Sequence, residues 1–146
     1  MKRNVFIPAL EELQRIELET LRNADELSIH GLLDVPTLVE PEDLSFNKVL
    51  IQARQQLNEL KQFTGSVDAI IAHWDFPTSV LVPILCQEHG IPAPPLESVL
   101  KCEHKYWSRL EQQQVIPEMV PDFCSVDPFA ENPLEQVTLD YPFWLK

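Results

Sequence analysis

The stretch VDAIIAHWDFPTSVLVPILCQEHGIPAPPLESVLKCEHKYWSR, from Val67 to Arg109, decides the fold that we predict for this chain. Its opening apolar run is too short for an independent helix and indicates a buried strand. An apolar helix follows, for which Asp75 and Thr78 offer capping oxygens and Gly90 offers a C-terminal stop. Residues 91–95 then predict a very short strand and a rigid turn, and a charged helix comes next.

The sequence before this stretch predicts further strands and helices in alternation. Apolar runs at 4–7 and 27–30 indicate two strands, and the third strand is expected over 67–73. Apolar periodicity predicts helices over 11–22 and 45–62, whereas an irregular, proline-punctuated segment separates the second strand from the second helix. The apolar face expected of the first helix consists of Leu10, Leu13, Ile16 and Leu21. Strands that alternate with helices predict an α/β fold with a parallel sheet.

The character of the chain changes after Pro117. Residues 123–126 are expected to form a strand, and residues 127–133 a loop or a brief helical turn. The run 141–146 is expected to form another strand, which ends at the last residue. Because an apolar strand at the very end would leave an unpaired edge and uncovered aromatic rings, we expect the chain to be truncated.

Composition and charge restrict the class of protein. Hydrophobic residues make up 45% of the chain and charged residues 23%, as in a soluble globular protein. The net charge of -12 argues against nucleic acid as a partner. No apolar run is long enough to span a membrane or to serve as a secretory signal, so we expect a cytoplasmic protein with no membrane partner. Three cysteines fit no disulfide framework and are expected to be free thiols: Cys86, Cys102 and Cys124.

Two lysines have both an ordinary and a functional interpretation. Lys105 and Lys146 flank a segment, residues 110–145, that contains no other lysine and no arginine. Lys105 is either a solvated helix lysine near Glu103 and Glu111 or a ligand of a nucleotide phosphate, since an ammonium on a flexible stem suits a phosphate. Lys146 has the same two interpretations. Its place on an apolar strand favours the second, because an unpaired buried charge would be unfavourable.

The end of the third strand supplies two substrate-side candidates, Trp74 and Asp75. Ligands of open parallel sheets bind at the carboxyl ends of the strands. Asp75 is otherwise a helix cap, worth about 1 kcal/mol, and Trp74 is otherwise part of ordinary packing.

Other kinds of site lack their signatures. The turn after the first strand, Pro8-Ala9-Leu10, contains no glycine, so the dinucleotide fingerprint of a classical dehydrogenase is missing there. Neither Cys86 with His89 nor Cys102 with His104 has a partner pair at the spacing of a zinc site. No metal site and no nucleophilic cysteine is predicted.

Three runs in order resemble the beginning of an ATP-grasp protein: Gly90–Pro95, Cys102–Lys105 and Tyr141–Lys146. In that superfamily a Rossmann-like pre-ATP-grasp domain ends in G-[LIV]-P-x-P, a helix with a lysine follows, and a Y-P-x-x-x-K-P strand carries a second lysine. Residues 4–7 also resemble the first strand, and residues 73–77 the end of the third strand, of carboxylate–amine ligases of this superfamily. Pro94 departs from the pattern, because the family often has glycine there.

The resemblance implies a Rossmann-like pre-ATP-grasp domain at residues 1–95, with a short parallel sheet flanked by helices. Residues 96–146 would be linker helices and the incomplete start of an ATP-grasp domain. By resemblance Lys105 and Lys146 would bind ATP, and the full-length protein would activate a small carboxylate as an acyl-phosphate. The family's glycine-rich lid, adenine-reading glutamate and magnesium-binding Glu/Asn pair have no counterpart here, so the chain alone is expected to be inactive, with magnesium held by residues outside it.

A non-catalytic, flavodoxin-like binding or interaction domain is the alternative from a different class. A truncated product without a function of its own is a third possibility. The identity of the carboxylate and of its acceptor, and the oligomeric state, are left open by the sequence.

Overall fold

A computed structural model of the chain describes residues 2–38 and 45–145. The protein is mixed α/β, and its three-stranded sheet is parallel throughout, with the order β2-β1-β3. The predicted α/β class and parallel sheet are therefore confirmed. Val5 on the central strand pairs with Ile29 on one side and with Ala69 on the other. The strands are β1 (Arg3–Pro8), β2 (Leu27–Leu32) and β3 (Ala69–Ile70).

Helices make up most of the remaining regular structure. The α-helices among the described residues are α1 (Glu12–Glu19), α2 (Val35–Leu38), α3 (Phe46–Thr64), α4 (Thr78–His89), α5 (Leu96–Glu103) and α6 (Lys105–Val115). Short 3₁₀ turns occur at Ala24–Glu26, Pro117–Met119 and Pro133–Gln136. Within the described ranges, no helix combines the length and the apolar character that crossing a membrane requires.

The chain divides into two compact units, Met1–Leu96 and Glu97–Lys146. The first unit contains the sheet and α1 to α4. The second contains α6 and nearly all of α5. Their assignment as a pre-ATP-grasp domain and the start of an ATP-grasp domain stays a prediction.

The core of the first unit lies between the sheet and the two helices α3 and α4. From α3 it receives Val49, Ala53 and Leu57, whose four-residue spacing puts them on one helix face, as the periodicity predicted. Helix α4 is buried almost all round, which was also predicted, and Pro83 lies in its second turn. Gly90 ends α4 with a φ of 67°, which confirms the predicted stop.

The apolar face predicted for the first helix is not buried. Leu13, Ile16 and Leu21 are 66%, 53% and 51% exposed. The helix is also shorter than expected, since α1 ends at Glu19. Apolar spacing shows that a helix has an apolar face, but it does not show that another element covers that face.

The third strand is shorter than the predicted 67–73, because the neighbouring strand β1 has no backbone N–H at the position that would continue the pairing. The amide of Ile71 donates to the Phe6 carbonyl at 3.0 Å, and in a parallel ladder the next bond would need an N–H from residue 8. Residue 8 is a proline and has none. The predicted strand thus closes after two residues, Ala69 and Ile70.

The very short strand predicted within 91–95 does not form in the described structure. The strands predicted at 123–126 and 141–146 do not form there either, and residue 146 lies outside the described residues. Prolines at 92, 94 and 95 leave the first segment few donors for a ladder. The other two have strand-like composition, but β-propensity counts only where a neighbouring strand is present to pair with. Turns and bends over 128–132 agree with the predicted loop.

Two further predictions need correction. The charged helix expected after residue 95 is two helices, because His104 has a φ of -72° and a ψ of 109° and interrupts it. The segment expected to be irregular after β2, residues 32–41, contains the short helix α2, and its end, residues 39–41, lies outside the described residues.

Candidate functional site

The carboxyl ends of β1 and β3 lie side by side, because the two strands are parallel neighbours. From β1 the chain passes to β2 on one side, whereas β3 lies on the other side of β1. Ligands of open parallel sheets bind where the strand order reverses in this way. The segments that follow the two strands, residues 9–11 and 71–75, are therefore the candidate site of the first unit, the sheet-edge site.

Trp74 joins the two segments of the sheet-edge site. Its indole Nε1 donates to the carbonyl oxygen of Ala9 at 3.3 Å, and the half-buried ring packs against the core. Ala9 is fully buried and has a φ of 55°, in the left-handed region that residues other than glycine rarely adopt. This strain is maintained by the surroundings, as is common near ligand sites. Trp74 thus fastens the segment after β3 to the end of β1.

Asp75 is exposed beside Trp74, but its carboxylate does not cap α4 as predicted. Its Oδ1 accepts a hydrogen bond from the amide of the next residue, Phe76, at 2.9 Å. The first turn of α4 is held by main-chain oxygens instead. The Asp75 carbonyl accepts from the amide of Thr78 at 2.9 Å, and the Thr78 hydroxyl donates to the Trp74 carbonyl at 2.6 Å. Among residues 2–38 and 45–145, the other carboxylate oxygen of Asp75 has no hydrogen-bond donor.

The sheet-edge site also contains a second carboxylate, that of Glu11, and the imidazole of His73. Glu11 forms a capping box with Gln14, whose side chain accepts from the Glu11 amide at 2.8 Å. Partial burial lowers the pKa of His73, and the nearby Glu11 carboxylate opposes this effect. The imidazole ring is edge-on to Trp74, with ring centroids 5.8 Å apart. These groups can accept a proton or hold a cationic group.

Two shallow depressions of the first unit lie away from the sheet-edge site. One, of about 380 Å³, is lined by Lys2, Arg3, Asp25 and Glu26. The other, of about 300 Å³, lies beyond the end of β2 and is lined largely by glutamine side chains of α3. Neither offers the apolar, enclosed lining of an ordinary small-molecule site.

Lys105 is exposed at the first residue of α6. Its side chain makes no hydrogen bond or ion pair with any residue that the structure describes. The preceding His104 caps the helix, since its Nδ1 accepts from the amide of Trp107 at 3.3 Å. A free ammonium therefore lies at the positive end of a helix dipole, where an anion is favoured.

The carboxylate expected near Lys105 pairs with a different lysine. Glu111 lies 3.0 Å from the Nζ of Lys101, which also contacts Glu97 at 3.1 Å. The same ammonium is 5.8 Å from the centre of the Trp107 ring. The ammonium of Lys101 thus joins α5 to α6 through two ion pairs, whereas that of Lys105 forms no ion pair with a described residue.

The second lysine and the three cysteines offer no described site. Lys146 lies outside the described residues. Cys86 is buried with its thiol 3.7 Å from the Ile70 carbonyl, and burial raises its pKa, so its thiolate is disfavoured. Cys102 and Cys124 are free thiols. Over 2–38 and 45–145, His, Cys, Asp and Glu side chains form no group of three or more that could hold a metal ion.

Of the residues predicted from sequence, the structure brings Trp74 and Asp75 together in the first unit, and it places Lys105 in the second. The sequence did not point to three further residues of the site, Ala9, Glu11 and His73. The first two follow β1 directly, and the strand-order rule would have pointed to them once the sheet was known. These residues can be recognised only from the pairing of β1 with β3. That pairing brings together Ala9 and Trp74, which are 65 residues apart in the sequence.

The fold and the site define a class: a mixed α/β protein with a small parallel sheet and polar side chains at its carboxyl edge. Comparison with known proteins found no matching family model, no similar curated protein and no similar solved structure.

Proposed function

We propose that this chain is the N-terminal, ligand-binding portion of an ATP-dependent carboxylate ligase of the ATP-grasp type. The first unit would be the Rossmann-like pre-ATP-grasp domain, and the second unit the start of the ATP-grasp domain. The observation that carries the proposal is the free ammonium of Lys105 at the start of α6, in a unit that follows a parallel α/β sheet.

Two physical properties of the start of α6 favour the binding of a phosphate beside Lys105. The backbone amides at the start of α6 and the helix dipole favour negative charge. A lysine adds a full positive charge on a flexible stem, without an internal carboxylate that would compete for it among the described residues. ATP would place its phosphates here, and Lys146 is proposed as a second nucleotide ligand from the sequence resemblance alone.

The sheet-edge site is proposed as the substrate side. Trp74 would contribute a rigid wall, since its indole is already held by the Ala9 carbonyl. Asp75 would contribute the carboxylate oxygen that Phe76 leaves free. A small carboxylic acid that carries an amine or hydroxyl group is the substrate class that this lining favours, with the polar group toward Asp75 and His73.

Magnesium would neutralise the phosphates of ATP in such a reaction. The described residues offer no group of three or more His, Cys, Asp or Glu side chains that could hold a metal ion. We therefore assign no metal ligand and no catalytic residue to this chain.

A flavodoxin-like binding domain without catalytic function is the second candidate, and the strand order favours it. The order β2-β1-β3 matches the first three strands of the doubly wound order 2-1-3-4-5. In that architecture the ligand lies beside the ends of β1 and β3, which is the sheet-edge site. This candidate requires no role for Lys105.

Titration of the isotopically labelled chain with millimolar magnesium-ATP, followed by amide NMR, tests the proposal. We expect weak binding, with Kd in the millimolar range (about -4 kcal/mol), because the net charge opposes an anion. Shifts should concentrate on residues 104–107. Lys105→Ala should weaken binding about fivefold, as expected for the loss of one exposed charge pair, and Lys61→Ala, at an exposed lysine near the end of α3, is the matched control.

The outcomes separate the two candidates. Shifts confined to residues 9–11 and 71–75, with no effect of Lys105→Ala, would favour the non-catalytic binding domain. Equal weakening by Lys61→Ala, or no shift at any ATP concentration, would refute nucleotide binding by Lys105.

A further inference from the structure

Helix α1 contributes no side chain to the core of the first unit. None of its eight residues is buried, and Leu13 and Ile16 are more than half exposed. The helical part of the core comes largely from α3 and α4. A helix this short is marginal in water unless packing supports it, and regions with few buried apolar contacts open at low free energy. The attachment of α1 therefore depends on the polar contacts that hold it to the sheet.

One side chain of α1 makes such a contact. The guanidinium Nη1 of Arg15 donates to the carbonyl oxygen of Ile29 at 3.2 Å, on the edge strand β2. Within α1, the Nε of Arg15 lies 3.7 Å from the carboxylate of Glu12. Among the described residues, no other hydrogen bond or ion pair joins α1 to the three strands. We refer to the bond between Arg15 and Ile29 as the α1 tether.

His30 follows Ile29 on β2, and its hydrogen bond defines its tautomer. The Nδ2 of Asn4 donates to the Thr64 carbonyl at 3.2 Å and to the Ser66 Oγ at 3.0 Å. The Asn4 Oδ1 is therefore the atom that faces the His30 Nε2, at 3.1 Å. Because an amide oxygen can only accept, Nε2 carries the hydrogen of the neutral imidazole. A further proton would bind at Nδ1 and would leave the bond to Asn4 intact.

The charged group that acts on His30 is the guanidinium of Arg15. From β1 the imidazole meets uncharged groups, the ring of Phe6 with centroids 4.9 Å apart and the amide of Asn4. The Asp68 carboxylate binds the far side of Asn4, through its backbone amide at 2.7 Å. Burial, and then the charge of Arg15, lower the pKa of His30, and over residues 2–38 and 45–145 no other charged side chain, on α3 or elsewhere, changes this pKa. Because coupling between two charges is reciprocal, a protonated His30 disfavours Arg15 in its tethered position.

We propose that α1 is an acid-released helix: when His30 takes up a proton, the α1 tether weakens and α1 opens from the sheet while the core stays folded. The core does not depend on the tether, since α1 contributes no buried residue to it. Opening would alter the sheet-edge site, because Glu11 directly precedes α1 and would move with it. The inference requires neither ATP nor Lys105, so it holds or fails independently of the proposed function.

Amide hydrogen exchange followed by NMR can detect this opening. Protection factors, which correct for the direct effect of pH on exchange, would be compared for α1 and α3 at about pH 7.5 and about pH 5. We expect α1 to be less protected than α3 at both, because it opens without the core. Since the open form binds the proton more readily, opening is favoured below the ordinary histidine pKa of 6.5. Protection of α1 should fall about two- to fivefold in acid, as expected for repulsion between two partly exposed like charges.

Three variants separate the tether from other effects of acid. His30→Gln keeps a donor for the Asn4 Oδ1 but cannot take up the proton, so the acid response of α1 should disappear. Arg15→Gln weakens the tether, so α1 should exchange about fivefold faster at neutral pH, and acid should add little. His73→Gln is the matched control, because a proton on His73 would attract Glu11 rather than repel Arg15. Its α1 should retain the acid response.

Four results would overturn the proposal. They are equal protection of α1 and α3 at both pH values, an unchanged acid response of α1 in His30→Gln, loss of that response in His73→Gln, and unchanged protection of α1 at neutral pH in Arg15→Gln. Circular dichroism and the protection of α3 would verify that each variant keeps its core. If His30→Gln failed to fold, Arg15→Gln would still decide, since an acid response that persists without the tether contradicts the proposal.

Discussion

At the residue scale, Gly90 and Gly65 act alike. Each follows the last residue of a helix and adopts a left-handed conformation, with φ of 67° and 83°. The Gly90 amide donates to the Gln87 carbonyl at 3.3 Å and so closes the last turn of α4. A side chain at either position would meet no atom within 4 Å, so only the backbone conformation favours glycine there.

Gly90→Ala should therefore lower the free energy of unfolding by about 1 kcal/mol, the penalty for a side chain in the left-handed region. Gly31→Ala is the matched control. Gly31 lies in β2 without a positive φ, and a Cβ there would meet its nearest neighbour, the Leu10 Cβ, at an ordinary 3.9 Å. Chemical denaturation of both variants measures the difference. Equal effects of the two substitutions would show that the left-handed conformation of residue 90 carries no penalty of its own for a side chain.

Single residues differ in how well the sequence predicts them. The glycine stops could be predicted, because a left-handed C-cap depends on local geometry alone. The role of Asp75 could not, because an acidic side chain near a helix start has several amides within reach. Its carboxylate accepts a hydrogen bond from the amide of Phe76, the next residue. The partner of Glu111 was also missed, since Lys101 and Lys105 lie on helices whose break at His104 was not foreseen.

At the element scale, the predictions that held were those in which local pattern and burial agree. Helix α3 has apolar residues at helical spacing and buries them, and β1 and β2 are short apolar runs that pair with each other. The prediction for β3 was too long because its extent depends on the partner strand, which offers a proline at residue 8. That dependence is invisible in the β3 sequence itself.

Substitutions on α1 and α3 test the difference between an exposed and a buried apolar helix face. Ile16→Ala should change the free energy of unfolding by less than about 0.5 kcal/mol, because Ile16 is 53% exposed. Leu57→Ala on α3 should lower it by about 2–5 kcal/mol, since Leu57 is fully buried. Urea denaturation of the two variants gives both values. A large loss for Ile16→Ala would mean that the face of α1 is covered in solution.

At the scale of the whole molecule, the sequence predicted the class of fold but not which distant residues meet. Trp74 contacts Ala9, and His30 contacts Asn4, only because β1 lies between β2 and β3. A strand order is set by the summed packing of several elements, and no single stretch encodes it. The polar groups of the sheet-edge site depend on that order.

Two histidines, His30 on β2 and His73 in the segment after β3, give the molecule a predictable response to acid. His30 stacks on Phe6 with ring centroids 4.9 Å apart, and its Nε2 lies 3.1 Å from the Asn4 Oδ1. Burial, and then the charge of Arg15, lower the pKa of His30. Burial likewise lowers the pKa of His73, against the opposing effect of Glu11. Both imidazoles are therefore held in their neutral form more strongly in the folded protein than in the unfolded chain.

The sign of the effect on stability follows from proton binding. Below the ordinary histidine pKa of 6.5, the unfolded chain binds protons that the folded protein resists, so acid favours unfolding. The histidine contribution to the free energy of unfolding should be constant above that pH and should fall as the pH decreases through it. Two acidic groups act at lower pH. Hydrogen bonds lower the pKa of Asp34 and, through Arg54, that of Glu88 from ordinary values of 3.8 and 4.5. The stabilisation from these two carboxylates would decrease only at a pH below the range in which the histidines act.

Urea denaturation between about pH 7.5 and about pH 5 measures the histidine effect separately from the carboxylate effect. The variant His30→Gln with His73→Gln should show a smaller fall in stability over this range, whatever its stability at neutral pH. If the original chain were equally stable across the range, the imidazoles of His30 and His73 would have to titrate alike in the folded and unfolded states. Their partial burial beside the sheet would then have no influence on their protonation.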